Sequence, residues 1–297
     1  MFTLKAGDKV GIASPAGLLN SPEEIKLPLD YLEALGFECI LGKHVFDQNY
    51  YMAGTDKNRA ADLHDFFKNP EIKAIFTTAG GCGSQRLLPL LDYDLIKNNP
   101  KPVFGLSDNT ALQTGIYTQS GIPSVTGFSL KYDFKTGHIN ELLEQSLKAV
   151  INGEKQTITS GETLTRGTAE GTLIGGCLSL VRSLCGTPYF PDLKDKILLL
   201  EDVGEKTYKL DLMLTQLRQQ SGFGKIKGII FGIFAGCEEA DDGDGSVDDI
   251  LNNFVSELPQ DIPVIKNFLY GHIPGRYVLP VGTNVRINAD KCLLEYL

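Results

Sequence analysis

Short apolar runs alternate with amphipathic stretches along the first half of the chain. Val10-Gly-Ile-Ala-Ser14, closed by Pro15, predicts a buried strand. Ser21-Pro-Glu-Glu24 predicts a helix start, with Ser21 as N-cap, Pro22 at the first helical position and Glu24 as capping-box partner. Leu29, Leu32 and Leu35 continue an apolar stripe to Gly36, and Pro28 inside it should kink the helix. Cys39-Ile-Leu41 reads as a second strand. Thr55 to Lys68, with Ala60, Leu63, Phe66 and Phe67, reads as a second helix ended before Pro70. Ala74-Ile-Phe-Thr-Thr78 and Val103-Phe-Gly-Leu106 predict strands three and four, with a helix from Ser84 to Leu91 between them and another from Asn109. Pro123 to Gly127 gives a fifth strand and His138 to Ile151 a further helix.

Strands and helices alternating at this spacing imply βαβ units, right-handed crossovers and a parallel sheet. Residues 1–152 are therefore expected to form one α/β domain. Gly153 to Arg166 is polar and aperiodic and is expected to be a linker over 153–166. Residues 167–297 follow as a second, smaller α/β domain of mixed strands. Leu173-Ile-Gly-Gly176, Ile197-Leu-Leu-Leu-Glu201, Ile226 to Ala235 and Val264 to Tyr270 are its strands. Leu178 to Leu184 and Tyr208 to Gln219 are its helices, the latter apolar at Leu210, Met213, Leu214 and Leu217. Asn284-Val-Arg-Ile287 and Cys292 to Tyr296 predict a closing hairpin.

Composition changes this picture little. At 297 residues, 42% hydrophobic and 22% charged, the chain reads as an ordinary globular enzyme. The net charge of −9 gives no footprint for nucleic acid or an anionic membrane surface. Lys5, Asp8 and Lys9 interrupt any signal-peptide core, and no run approaches a spanning helix, so a cytoplasmic protein is expected. The six cysteines show no C-x-x-C pair and read as scattered reduced thiols.

Chemistry concentrates where the strands end. Strand three stops at Gly80-Gly81 and strand four at Ser107, and ligands of open parallel sheets bind outside such carboxyl ends. A glycine-rich strand end beside a serine-bearing one suggests an oxyanion site facing a nucleophile. Gly81-Cys-Gly-Ser-Gln-Arg86 is a poor dinucleotide fingerprint, because Arg86 replaces its third glycine. Gly105-Leu-Ser-Asp-Asn109 lacks the second glycine of the α/β-hydrolase elbow, and Ser107 could equally cap the following helix. The acidic run Glu238 to Asp249 has Val247 and Asn253 where a calcium loop needs Gly and Glu, so a solvated loop is expected. No spacing supports zinc, and no metal or cofactor is expected. Of the four histidines, His64 and His138 lie in polar helical contexts, whereas His272 follows the strand ending at Gly271. Glu201 closes a strand so apolar that its carboxylate needs a partner, and an imidazole is one.

At these residues the chain resembles the LD-carboxypeptidase family of serine peptidases, whose relatives include the microcin C immunity peptidases. The resemblance rests on Ala13-Ser-Pro15, Gly80-Gly-Cys-Gly-Ser-Gln-Arg-Leu-Leu-Pro89, Gly105-Leu-Ser-Asp108, Arg166-Gly167, Gly175-Gly-Cys-Leu-Ser-Leu180, Leu199-Leu-Glu-Asp202 and Gly271-His272. It implies a Ser–Glu–His triad at Ser107, Glu201 and His272. It also implies a flavodoxin-like N-terminal domain, a smaller C-terminal domain and a cytoplasmic homodimer. Cys82, Cys177, Leu212 and Phe128 depart from the family pattern and bear on specificity, being off the triad. The absence of a large C-terminal insertion favours the peptidoglycan-recycling branch.

The expected reaction is hydrolysis of the L,D-peptide bond before a terminal D-amino acid in a murein tetrapeptide. Ser107 attacks, His272 transfers the proton, and Glu201 orients the imidazole. The backbone N–H groups of Gly81 and Asp108 are the expected oxyanion donors, and Arg86 the expected clamp on the substrate carboxylate. A peptidase deacylating aminoacyl-nucleotide conjugates, or a small-ligand-binding protein without turnover, are the alternatives.

Overall fold

In β1 (Lys9–Ala13) every residue but Lys9 is buried, as an apolar run covered on both faces requires. The computed structural model describes residues 2–259 and 261–297. It divides into two units, Met1–Glu154 with Tyr277–Gly282, and Lys155–Arg276 with Thr283–Leu297.

In the first unit β1 is followed by α1 (Glu23–Ala34), β2 (Glu38–Leu41), α2 (Asp56–Lys68), β3 (Ile72–Thr77) and a 3₁₀ turn over Ser84–Leu90. Then come α3 (Tyr93–Asn98), β4 (Val103–Gly105), α4 (Asn109–Ser120), β5 (Ser124–Thr126), α5 (Leu130–Asp133) and α6 (Glu141–Ile151). The second unit runs through β6 (Thr157–Thr159), β7 (Glu162–Thr165), β8 (Thr168–Cys177), α7 (Leu178–Ser183), β9 (Lys196–Glu201) and α8 (Thr207–Arg218). It continues with β10 (Gly228–Phe231), α9 (Val247–Ser256) and β11 (Val264–Lys266). The chain then contributes β12 (Leu279–Val281) to the first unit and ends with β13 (Thr283–Asn288) and β14 (Leu293–Tyr296) in the second.

The first sheet has the order β12-β5-β4-β3-β1-β2, with β1 to β5 parallel and β12 antiparallel on the edge. Its parallel part is the flavodoxin-like 2-1-3-4-5 order, whose switch point lies between β1 and β3. The core includes Phe76 and Phe104, stacked at 4.2 Å, with Phe128 edge-on to Phe76 at 6.0 Å. Helix α2 seats Phe66 on β1 at Gly11, where a Cβ would lie 2.7 Å from the ring. The second sheet has the order β6-β14-β13-β8-β9-β10-β11-β7. Strands β8 to β11 are parallel and the flanking strands antiparallel, so the α/β class holds with a mixed second sheet.

The structure departs from the sequence expectations in four places. The segment 153–166 is not a bare linker, since it carries β6, paired with β14, and β7, paired with β11. These strands of three and four residues are too short to show periodicity, although their threonines suit an edge. Residues 277–282, expected in the second unit, complete the first sheet through β12. Ser21 does not cap α1, which begins at Glu23; the Glu24 carboxylate instead accepts from the Asn20 backbone and side-chain amides, both at 2.9 Å. Ser84–Leu90 is 3₁₀ and contains Pro89, which has no N–H to extend an α-helical ladder. Among the described residues no helix is long and apolar enough to cross a membrane.

Candidate active site

Strand β4 is wholly buried and ends in a sharp elbow. Ser107 has φ 64°, a left-handed conformation that costs a non-glycine residue energy, and α4 starts two residues later. The reading of Ser107 as a helix cap fails: Asp108 is the N-cap residue, and among the described residues the Ser107 hydroxyl has no hydrogen-bond partner. The hydroxyl instead stands at the positive end of a twelve-residue helix.

Gly80 lies against this elbow. A Cβ there would come within 2.7 Å of Ser107 Cβ and 3.1 Å of its Oγ, so only glycine allows the approach. Asn109, fully buried, fastens the two loops by donating from Nδ2 to the carbonyls of Ala79 at 3.0 Å and Leu106 at 3.1 Å. Among the described residues the N–H groups of Gly81 and Asp108 have no acceptor, which leaves them available to an incoming oxyanion. The Asp108 carboxylate accepts from Ser84 N at 2.8 Å, while Ser84 Oγ donates to Asp108 O at 2.5 Å. Burial pushes the Asp108 carboxyl up from its ordinary pKa, and the Ser84 bonds and the Arg59 charge draw it back.

In the second unit the apolar strand β9 delivers Glu201, fully buried, at its carboxyl end. His272 Nδ1 donates to Glu201 Oε2 across 2.8 Å. Gly271 makes this possible: at φ 129° it passes so close that a Cβ would lie 2.8 Å from the same oxygen. Among the described residues Glu201 Oε1 and His272 Nε2 are buried without hydrogen-bond partners. Burial pushes Glu201 above the ordinary carboxylate range, against the hydrogen bond and charge of His272 and the charge of Arg276. Arg276 is itself buried and donates from Nη1 to Ile273 O at 2.6 Å, bracing the turn that carries His272. Asp202 accepts from Ser179 N at 2.7 Å and Val203 N at 2.9 Å, and so fixes the end of β9.

Arg86 is otherwise engaged. Its Nε and Nη2 donate to both oxygens of Asp56 at 2.8–3.0 Å, and its side chain is more than half exposed. The fork expected to hold a substrate carboxylate is occupied by an internal one. His44 pairs with Asp62, and His64 Nε2 accepts from Asp92 N, so neither is idle. In the acidic loop Ser246 and Asp249 form a capping box on α9, and Asp244 accepts from the N–H groups of Ala240 and Asp241. No group of three or more His, Cys, Asp or Glu among the described residues is arranged to hold a metal ion. The roles of Asn109 and Arg276 escaped the sequence reading, and Gly80 stood there only as part of a glycine-rich strand end, since only the packed structure shows what each touches.

Two family models match the chain, the LD-carboxypeptidase N-terminal domain over residues 10–127 and the LD-carboxypeptidase C-terminal domain over residues 170–287. The chain belongs to the LD-carboxypeptidase family. It is accordingly a hydrolase of the serine LD-carboxypeptidase type. It is 33% identical over 293 residues to the probable murein peptide carboxypeptidase of Bacillus subtilis, covering 97% of this chain and 91% of that one. It is 28% identical over 322 residues to the microcin C7 self-immunity protein MccF of Escherichia coli, covering 97% and 92%. Among solved structures, an MccF-like protein from Bacillus anthracis superposes with a TM-score of 0.85 at 30% identity, covering 99% of this chain and 98% of that one.

Proposed function

We propose that this LD-carboxypeptidase cleaves the L,D-peptide bond before the terminal D-amino acid of a murein tetrapeptide, in peptidoglycan recycling in the cytoplasm, as a homodimer. Ser107 is the nucleophile, His272 the general base and then acid, and Glu201 the residue that holds the imidazole. The observation that carries this reading is the Glu201–His272 bond: a fully buried carboxylate on Nδ1 fixes the tautomer that leaves Nε2 to take a proton. The left-handed Ser107 beside Gly80 supports the nucleophile assignment, and the N–H groups of Gly81 and Asp108 are the oxyanion donors. The relative named for murein peptides supports the substrate class.

The likeness to MccF favours a second reading, in which aminoacyl-nucleotide conjugates are deacylated by the same residues. One panel separates the two. A murein tetrapeptide ending in D-Ala should turn over, whereas its C-terminal amide and its L-Ala epimer should each lose more than about a hundredfold in kcat/KM. Comparable values for all three would sink the carboxypeptidase reading, and preference for an aminoacyl sulfamoyl adenosine would establish the alternative. Arg86 serves as carboxylate clamp only if it exchanges Asp56 for the substrate, so Arg86→Ala should raise KM for the free acid and leave the amide unaffected.

A further inference from the structure

Arg59 projects from α2 and is 2% exposed, the largest fully buried side chain of the protein's described residues. Two of its partners are main-chain carbonyls and two are side chains. Nη1 donates to Gly83 O at 2.9 Å and to Pro15 O, while Nη2 meets Asp56 Oδ1 and lies 3.3 Å from Met52 Sδ. Pro15 belongs to the loop after β1 and Gly83 to the loop after β3, so one guanidinium ties the two strand ends that flank the switch point.

Each tie leads to the nucleophile. From Pro15 the chain reaches Gly17, whose N–H donates to Gly80 O at 2.8 Å, and Gly80 is the residue packed on Ser107. From Gly83 the next residue is Ser84, whose N–H and hydroxyl both bond Asp108, the neighbour of Ser107. Gly83 has φ 127°, and a Cβ there would lie 2.8 Å from Arg59 Nη1, so the loop is shaped to receive the guanidinium. The segment held between these ties is Gly80–Gly83, which carries the Gly81 N–H.

We propose that Arg59 is a positioning residue that sets the oxyanion loop against the nucleophile elbow. Resting on the serine-peptidase reading above, the inference extends it to a residue that touches neither substrate nor reacting atoms. Lysine is shorter and has one nitrogen, so it cannot hold both carbonyls while a second nitrogen stays anchored on Asp56, and Arg59→Lys should keep the fold but loosen the loop. Because the loop acts on the developing oxyanion, kcat should suffer and KM should not.

The test measures kcat, KM, thermal melting and the rate of fluorophosphonate labelling of Ser107 for Arg59→Lys, Ser84→Ala and Ser107→Ala in the full chain. Arg59→Lys is expected to lose at least tenfold in kcat and in labelling rate, with KM within threefold and melting within a few degrees. Ser84→Ala, which loosens the same loop from its other end and leaves the guanidinium in place, should lose in kcat without a matching rise in KM. Folded Arg59→Lys and Ser84→Ala enzymes with wild-type kcat, beside an inactive Ser107→Ala, would overturn this inference alone. So would losses that only track the folded fraction. An active Ser107→Ala enzyme would overturn the serine reading itself.

Discussion

His272 Nδ1 reaches Glu201 Oε2 across 2.8 Å, and the glycine before His272 leaves no room for a side chain beside that oxygen. The carboxylate is fully buried and one of its oxygens has no partner among the described residues, so this pair is a cost to folding. Function is the natural reason to keep it.

Glu201→Gln should therefore separate activity from stability. Loss of the charged partner should lower kcat by about 10³–10⁴-fold, as expected when an imidazole loses its orienting carboxylate. Burial raises the carboxyl pKa in the folded state, so its destabilising effect is present in full above that raised value, fades as pH falls from it, and is gone below about 4.3, the unfolded value. The variant should melt at or above the wild-type temperature at pH 7, with the difference closing in acid. A variant that is both less stable at pH 7 and still active would contradict the assignment.

Ser107→Gly should be inactive yet more stable. Removing the side chain relieves the left-handed backbone, a strain of about 1 kcal/mol or more. Ser107→Ala should be equally inactive without that gain, because alanine keeps the strain. Parallel melts of the three proteins check the ordering.

Gly80→Ala should impair catalysis more than folding. The added methyl would lie 2.7 Å from Ser107 Cβ, and moving the serine by even an ångström misaligns its attack. A loss of about a hundredfold in kcat is expected. Wild-type kcat in this variant would mean that the close approach of loop and elbow is not needed.

Lys101→Met should raise stability in a pH-dependent way. Lys101 is buried, donates from Nζ to Phe67 O at 2.5 Å, and burial pushes its pKa down to about 8. A lysine with a depressed folded value costs stability fully below that value and ceases to do so above its unfolded value of about 10.4. The melting advantage of the methionine variant should thus be largest near pH 7 and shrink between pH 8 and 10.4. An advantage independent of pH would place the effect in packing instead of charge.

Much of this protein is legible in one dimension. Apolar runs of three to six residues alternating with amphipathic helices prescribe parallel βαβ units, because each run can be buried on both faces only under crossover helices. The abrupt ends at Gly80-Gly81, Ser107, Glu201 and Gly271-His272 identify where chemistry collects, since strand ends expose backbone and polar side chains that the sheet interior cannot hold. What the sequence could not declare is pairing across long separations. Thr157 to Thr165 reads as linker until β14 and β11 supply hydrogen-bond partners from about a hundred residues away or more. Leu279–Val281 belongs to the first sheet only because β5 presents a free edge to it. Arg86 and Arg59 look alike on the page, yet one is exposed against Asp56 while the other is sealed under two loops. Burial and partner choice are properties of the packed chain, and they decide which cation is available to a substrate and which one shapes the site.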